Sequence, residues 1–150
     1  MDIQLESPNQ PDVVALIDLL DAYQLSLYPP ESVYALDMNS LLQPNVLFAV
    51  ARDAQGAAVG CGAMVVTPEF GEVKRMFVHP AARGQGVAQR LLGMLEAEAM
   101  RRGCRRFMLE TGPSQPEAIG LYQRLGYAVR GPYGDYRDDP LSVFMEKVAA

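Results

Sequence analysis

The sequence predicts an α/β fold in which one mixed sheet carries helices on both faces, and three observations lead there. Two runs rich in valine and alanine, Val46 to Arg52 and Ala57 to Val66, flank Asp53-Ala54-Gln55-Gly56 and read as a hairpin. From Glu72 to Thr111 the chain passes from an apolar strand through an amphipathic helix to a second strand, the pattern of a crossover. A further helix and a returning strand follow, so parallel and antiparallel neighbours share one sheet. With 150 residues, 49% of them hydrophobic, the chain has the size of one domain, 1–150, around one sizeable core.

Taken in order, Ile3 to Glu6 reads as a short strand. Pro11 opens a helix because its fixed φ suits the first turn, and Val13, Leu16, Ile17, Leu20 and Leu27 recur at helical spacing until Tyr28-Pro29-Pro30 forces a break. Glu31 to Met38 reads as a second short helix, before the hairpin. Thr67-Pro68-Glu69-Phe70-Gly71 turns the chain into the strand Glu72 to Val78. Ala88, Leu91, Leu92, Leu95 and Ala99 form one helical face that ends at Gly103, with Arg101 and Arg102 in the last turn, where cations suit the helix dipole. Arg106 to Thr111 is the next strand. Ser114 and Glu117 have capping-box spacing before a helix with the stripe Ala118, Leu121, Tyr122 and Leu125, closed by Gly126. Tyr127 to Arg130 and Ser142 to Lys147 complete the strands.

Thirteen basic against eighteen acidic residues give a net charge of -5, which repels a polyphosphate and argues against nucleic-acid binding while suiting a cationic or amine substrate. No apolar run reaches the ~18 residues of a membrane span, and Met1-Asp2-Ile3-Gln4 lacks the order of a signal peptide, so the expectation is a soluble cytoplasmic protein, monomer or homodimer. Cys61 and Cys104 lack metal-ligand spacing, and no metal is expected. No Gly-x-Ser-x-Gly elbow suggests a charge-relay hydrolase.

Arg83-Gly84-Gln85-Gly86-Val87-Ala88 lies where a strand gives way to a helix. Glycines there allow tight turns, and the first amides of the helix lack carbonyl partners, so backbone donors and the dipole together favour a phosphate. A P-loop is excluded, because no Gly-Lys-Ser or Gly-Lys-Thr follows. A dinucleotide fingerprint is disfavoured by Gln89 at the third glycine position and by the long approach from His79 to Arg83, although Glu110 stands where a ribose-binding carboxylate would.

Phe77-Val78-His79-Pro80-Ala81-Ala82-Arg83-Gly84-Gln85-Gly86-Val87-Ala88 resembles the acyl-CoA pyrophosphate loop of the GNAT superfamily of N-acyltransferases, with Arg83, Gly86 and Ala88 at its marker positions. A second segment, Gln115-Pro116-Glu117-Ala118-Ile119-Gly120-Leu121-Tyr122-Gln123-Arg124-Leu125-Gly126-Tyr127, resembles the family's Asn-x-x-Ala-x-x-x-Tyr-x-x-x-Gly-Phe, with Gln115 for Asn and Tyr127 for Phe. The resemblance implies a GNAT fold of six to seven strands in which the parallel strands Glu72 to Val78 and Arg106 to Thr111 splay apart. Acetyl-CoA, as co-substrate, would place its pantetheine arm along the main chain of Met76, Phe77 and Val78 and near Gln115. Its pyrophosphate would meet amides from Arg83, Gly84, Gln85, Gly86, Val87 and Ala88.

The implied activity is acetyl transfer from acetyl-CoA to a primary amine of a small molecule by direct attack. A protein N-acetyltransferase or a non-catalytic acyl-CoA sensor are the alternatives. An alkylammonium, with pKa near ~10.4, must lose a proton before attack. Glu72, eleven positions before Arg83, matches a catalytic glutamate of some family members; strand alternation would place it with Lys74, Met76 and Val78 on one face, so an ion pair with Lys74 is the other reading. An amide near Phe77 or Val78 would hold the oxyanion, and Tyr122 matches the tyrosine that protonates or hydrogen-bonds the departing sulfur, its place on the apolar stripe giving a core tyrosine as the other reading. His79, the lone histidine, reads as a loop residue. By family layout the acceptor would lie between Tyr28, Glu31 and Tyr34 on one loop and Tyr133 and Tyr136 on another; Glu110 would either face it or only close its strand. Tyrosines and carboxylates there would suit a cationic amine.

Overall fold

The computed structural model describes residues 1–33 and 37–149. Seven strands, β1 (Asp2–Leu5), β2 (Val46–Arg52), β3 (Ala58–Val66), β4 (Gly71–Val78), β5 (Arg106–Thr111), β6 (Ala128–Arg130) and β7 (Val143–Val148), form one sheet in the order β1-β2-β3-β4-β5-β7-β6. Every neighbouring pair is antiparallel except β4 and β5. That parallel pair is joined by the crossover helix α3 (Val87–Arg101), as the strand-helix-strand pattern predicts.

Two helices, α1 (Pro11–Leu27) and the single turn α2 (Met38–Leu41), cover one face of the sheet, where Val13, Leu16, Ile17 and Leu20 pack on Phe48, Val50, Cys61 and Phe77. α3 and α4 (Pro116–Arg124) cover the other, where Leu91, Leu92 and Leu95 pack on Leu47, Ala49, Phe107 and Leu109. Both faces of the central strands are therefore buried, which is why β2 and β5 read as continuous apolar runs. A third, smaller cluster of Met108, Tyr133, Phe144, Phe70 and Tyr136 closes the α1 side beyond the end of that helix.

Glu96 is the one buried charged residue, backbone and side chain together, among the described residues, and it accepts hydrogen bonds from the Tyr127 hydroxyl at 2.8 Å and from Lys147 at 2.9 Å. This network ties α3 to β7 and explains tyrosine where the family segment has phenylalanine, since the hydroxyl satisfies Oε2 of the carboxylate while Lys147 satisfies Oε1.

Three local expectations need correction. The expected helix from Glu31 to Met38 is instead a 3₁₀ turn at Pro30–Ser32 and a separate α2 whose first turn is capped by Asp37, its carboxylate accepting from the Ser40 amide at 2.8 Å; Tyr34 lies outside the described residues. The capping box of Ser114 and Glu117 does not form, because the N-cap residue of α4 is Gln115, which makes no side-chain cap. The alternation of β4 is reset at Arg75, whose φ of 55° is the one positive value at a non-glycine among the described residues. Cys61 pairs with Phe77 and Ala63 with Lys74, so Gly62 faces both Arg75 and Met76, a β-bulge. Glu72 and Lys74 consequently face the α1 side, whereas Met76 and Val78 pack against the α3 core.

Candidate active site

The bulge has a larger consequence. β4 and β5 pair only through Gly71 with Phe107, Glu72 with Met108 and Val73 with Leu109. Beyond Val73 the edge of β4 has no strand partner on the β5 side, so Met76, Phe77 and Val78 present main-chain groups to a wedge-shaped opening. Arg75 holds the bent strand to α1 through an ion pair with Asp21.

On one side of the wedge a groove of about 700 Å³ runs along Met76, Phe77 and Val78 to Arg83, Gly84, Gly86, Val87 and Ala88, and is walled by Ala118, Leu121 and Tyr122 of α4. Gly84 and Gly86 take φ values of 80° and 73°, left-handed conformations that favour glycine, and Gly86 is the N-cap residue of α3. The amides of Gly84, Gln85 and Gly86 donate no hydrogen bond within the described residues, and a Cβ at Gly84 or Gly86 would meet no atom within 4 Å. Exposed donors, open space and the positive end of a fifteen-residue helix suit a pyrophosphate, while the apolar wall suits a pantetheine arm. These are the residues that fit CoA. Gln85 offers the turn only its backbone, for its side chain is exposed and outside the lining. Arg83 is exposed too, donating to the Val78 carbonyl at 3.1 Å and lying 5.8 Å from the Phe77 ring centre. His79 has a structural role: its Nδ1 accepts from the Ala81 amide at 3.1 Å and starts the turn before Arg83.

A second cavity of about 100 Å³ opens on the α1 side, lined by Tyr28, Ser32, Lys74, Arg75, Glu110 and Thr111 among others. Met76, Gln115, Ala118 and Tyr122 line both spaces, so the two meet there. Tyr122 is 8% exposed, burial pushes its phenol well above the ordinary tyrosine range, and its hydroxyl has no hydrogen-bond partner among the described residues. The residue is buried but its hydroxyl stays accessible to the space where the two linings meet, and it remains protonated there, so it can donate a hydrogen bond to a group that arrives.

The structure sorts the expected acceptor residues. Tyr28 lines the small cavity, and its hydroxyl accepts from the Ser114 amide at 3.2 Å and donates to Gln115 Oε1 at 3.3 Å. That contact gives the longer Gln115 side chain a partner that fixes it at the junction. Close approach is possible because residue 112 is glycine: a Cβ there would lie 1.8 Å from the Tyr28 hydroxyl. Glu110 lines the cavity, and burial raises its carboxyl to about 7, with Ser142 and Lys74 acting in the opposite direction. Glu31 is exposed and away from the cavity. Tyr133 and Tyr136 do not line it either; they stack edge-on at 5.1 Å and donate to Glu72 Oε2 at 2.8 and 2.7 Å. Glu72 is held further by Lys74 at 3.4 Å and lies outside both linings. The cationic groups Lys74 and Arg75, which the sequence reading did not place at the acceptor, line the cavity instead of the two tyrosines. No group of three or more His, Cys, Asp or Glu side chains arranged for a metal ion occurs among the described residues, and no described helix is long and apolar enough to cross a membrane.

A parallel pair that parts beyond its third rung, with a glycine-rich helix N-terminus at one end of the opening and a buried tyrosine at its centre, defines an acyl-CoA N-acyltransferase fold. The Acetyltransferase (GNAT) family model matches residues 13–127, and the chain belongs to that family: it is an acyl-CoA-dependent acetyltransferase. It is 50% identical to an IAA acetyltransferase of Azospirillum brasilense, over 97% of this chain and 95% of that one. It resembles the crystal structure of a Klebsiella pneumoniae protein assigned to the acyl-CoA N-acyltransferases, with a TM-score of 0.86 and 42% identity over 99% of this chain and 97% of the other. The fold is also shared with the PaiA N-acetyltransferase of Thermoplasma acidophilum, solved in complex with coenzyme A, at a TM-score of 0.71 and 16% identity over 99% of each chain.

Proposed function

We propose that the protein transfers the acetyl group of acetyl-CoA to a primary amine of a small molecule, by direct attack with both substrates bound. The observation that carries this reading is the junction at Tyr122, whose hydroxyl has no hydrogen-bond partner among the described residues and lies where the large groove meets the small cavity. Acetyl-CoA, when bound, supplies an activated acetyl thioester. The Gly84 to Gly86 amides and the start of α3 would hold its phosphates, and the open edge of β4 from Met76 to Val78 would hold the arm. A free amide on that edge would stabilise the developing oxyanion, and the Tyr122 hydroxyl would hold a proton for the sulfur. Tyr28 and Gln115, hydrogen-bonded to each other, line the junction on the α1 side.

The volume of about 100 Å³ on the acceptor side supports a small acceptor over a protein segment. The Azospirillum relative, named for acetylation of IAA, supports a small-molecule acceptor as well. The test is release of CoA thiol from acetyl-CoA across a panel of small amines, aminocarboxylates and peptides, alongside stabilisation of the fold by acetyl-CoA and CoA. Thiol release stimulated by small amines and not by peptides is expected. Stabilisation without amine-stimulated release would make the protein a sensor, and a preference for peptides would move the acceptor outside the small cavity.

A further inference from the structure

We propose that the acceptor is a short aminocarboxylate, its carboxylate taken by Lys74 and Arg75 and its amine directed to the junction at Tyr122. This rests on the acetyltransferase reading above and adds to it the chemical class of the second substrate. Lys74 and Arg75 are successive residues of one strand, and in regular β-structure their side chains would point to opposite faces of the sheet. The left-handed φ of 55° at Arg75 breaks that alternation, and both residues line the same small cavity on the α1 side. Arginine has no preference for that conformation, and such strain persists only where the surroundings hold it. Its result here is two cations side by side at the acceptor end of the wedge.

The carboxylates that pair with these cations stand outside the lining. Arg75 is ion-paired with Asp21 of α1. Lys74 lies 3.4 Å from Glu72 and donates to the Tyr136 hydroxyl, which itself donates to Glu72 Oε2 at 2.7 Å. Such contacts hold both side chains, 8% and 12% exposed, so an arriving anion meets charges already in position. Glu110 is the only carboxyl among the described lining residues, and burial, which raises it to about 7, leaves it partly neutral at neutral pH. The lining therefore carries an excess of positive charge in a protein whose net charge is -5. A carboxylate there gains charge-assisted hydrogen bonds, whereas an amine with no anion of its own meets two like charges.

Position sets the length of the molecule. Arg75 adjoins Met76, which lines both the cavity and the CoA groove together with Tyr122, and the cavity holds about 100 Å³. A carboxylate on the two cations leaves room for only a short carbon chain before the amine reaches the junction. Free aminocarboxylates meet that requirement; residues inside a peptide, with neither group free, do not.

The test compares alanine and β-alanine with their amides and with ethylamine, by release of CoA thiol from acetyl-CoA. The aminocarboxylates should exceed both the amides and ethylamine by ~10 fold or more in kcat/KM. Lys74→Met, which keeps the length and removes the charge, should shrink that ratio, and Lys74→Arg should restore part of it. A second measurement needs neither a variant nor turnover: in calorimetric titrations of the wild type loaded with CoA, propionate should bind and propionamide should not. The proposal is overturned if the amides or ethylamine serve as well as the acids, if a folded Lys74→Met keeps the full ratio, or if propionamide binds as tightly as propionate. Propionate binding without turnover of any amine would support the anion site and remove the acetyltransferase reading, whereas equal turnover of acids and amides would do the reverse.

Discussion

Replacing Glu110 by glutamine removes a charge that the fold holds at a cost, so the variant should gain stability as pH rises. The carboxyl moves from an ordinary 4.5 to about 7 on folding because burial disfavours its ionised form. Below 4.5 it is neutral in both folded and unfolded chains and contributes nothing. As pH rises from 4.5 through 7, the unfolded chain ionises freely while the folded one does not, and the wild type loses stability that the amide retains. A difference of about 2.5 pH units at about 1.36 kcal/mol each gives a gain of up to about 3 kcal/mol above pH 7. For a chain of this length that corresponds to ~6 to 12 °C in Tm. Urea unfolding of both proteins, from about pH 4 to about pH 8, measures the difference directly. Equal stabilities at every pH, or a variant that loses ground as pH rises, would refute the claim that Glu110 is a desolvated carboxyl.

Tyr122→Phe should lower kcat by ~100 fold or more while changing stability by less than about 0.5 kcal/mol, since the hydroxyl it removes has no partner to lose; steady-state kinetics with thermal melts checks both halves. Gly112→Ala should displace the Tyr28 ring, destabilise the fold by about 1 to 3 kcal/mol and weaken acetyl-CoA binding through Gln115, as calorimetry and denaturation would show. Gly86→Ala forces an L side chain into a left-handed φ at about 1 to 2 kcal/mol. Nothing crowds its Cβ, so the expected readout is lower affinity for CoA measured by titration, with the core unchanged by amide exchange.

The layers and the glycine-rich turn before α3 were legible in the sequence because their signals are local. Valine- and alanine-rich runs mark the hairpin, helical spacing marks α3, and paired glycines mark the turn before it. The acceptor side was only partly legible, for three physical reasons. Arg75 enters a left-handed conformation with no residue type that announces it, and that single dihedral moves Met76 and Val78 to the face opposite Glu72. Tyr28 and Gln115 meet across 87 positions of chain, a contact no window reveals; the available hints were Gly112 and the family's asparagine position filled by a longer amide. Tyr133 and Tyr136 carry the composition of an acceptor loop, but they fold onto Glu72 and Phe144, so burial claims rings that sequence alone assigns to a ligand. Glu110 was visible as a strand-end carboxylate, and only the parting of β4 from β5 shows that it faces the cavity.

Initial rates with acetyl-CoA and a competent amine both varied test most directly whether the two cavities hold their substrates together at Tyr122. CoA thiol is expected only when amine is present, with reciprocal plots that intersect. A burst of thiol before amine is added, with parallel plots, would place the acetyl group on the protein first and contradict direct attack.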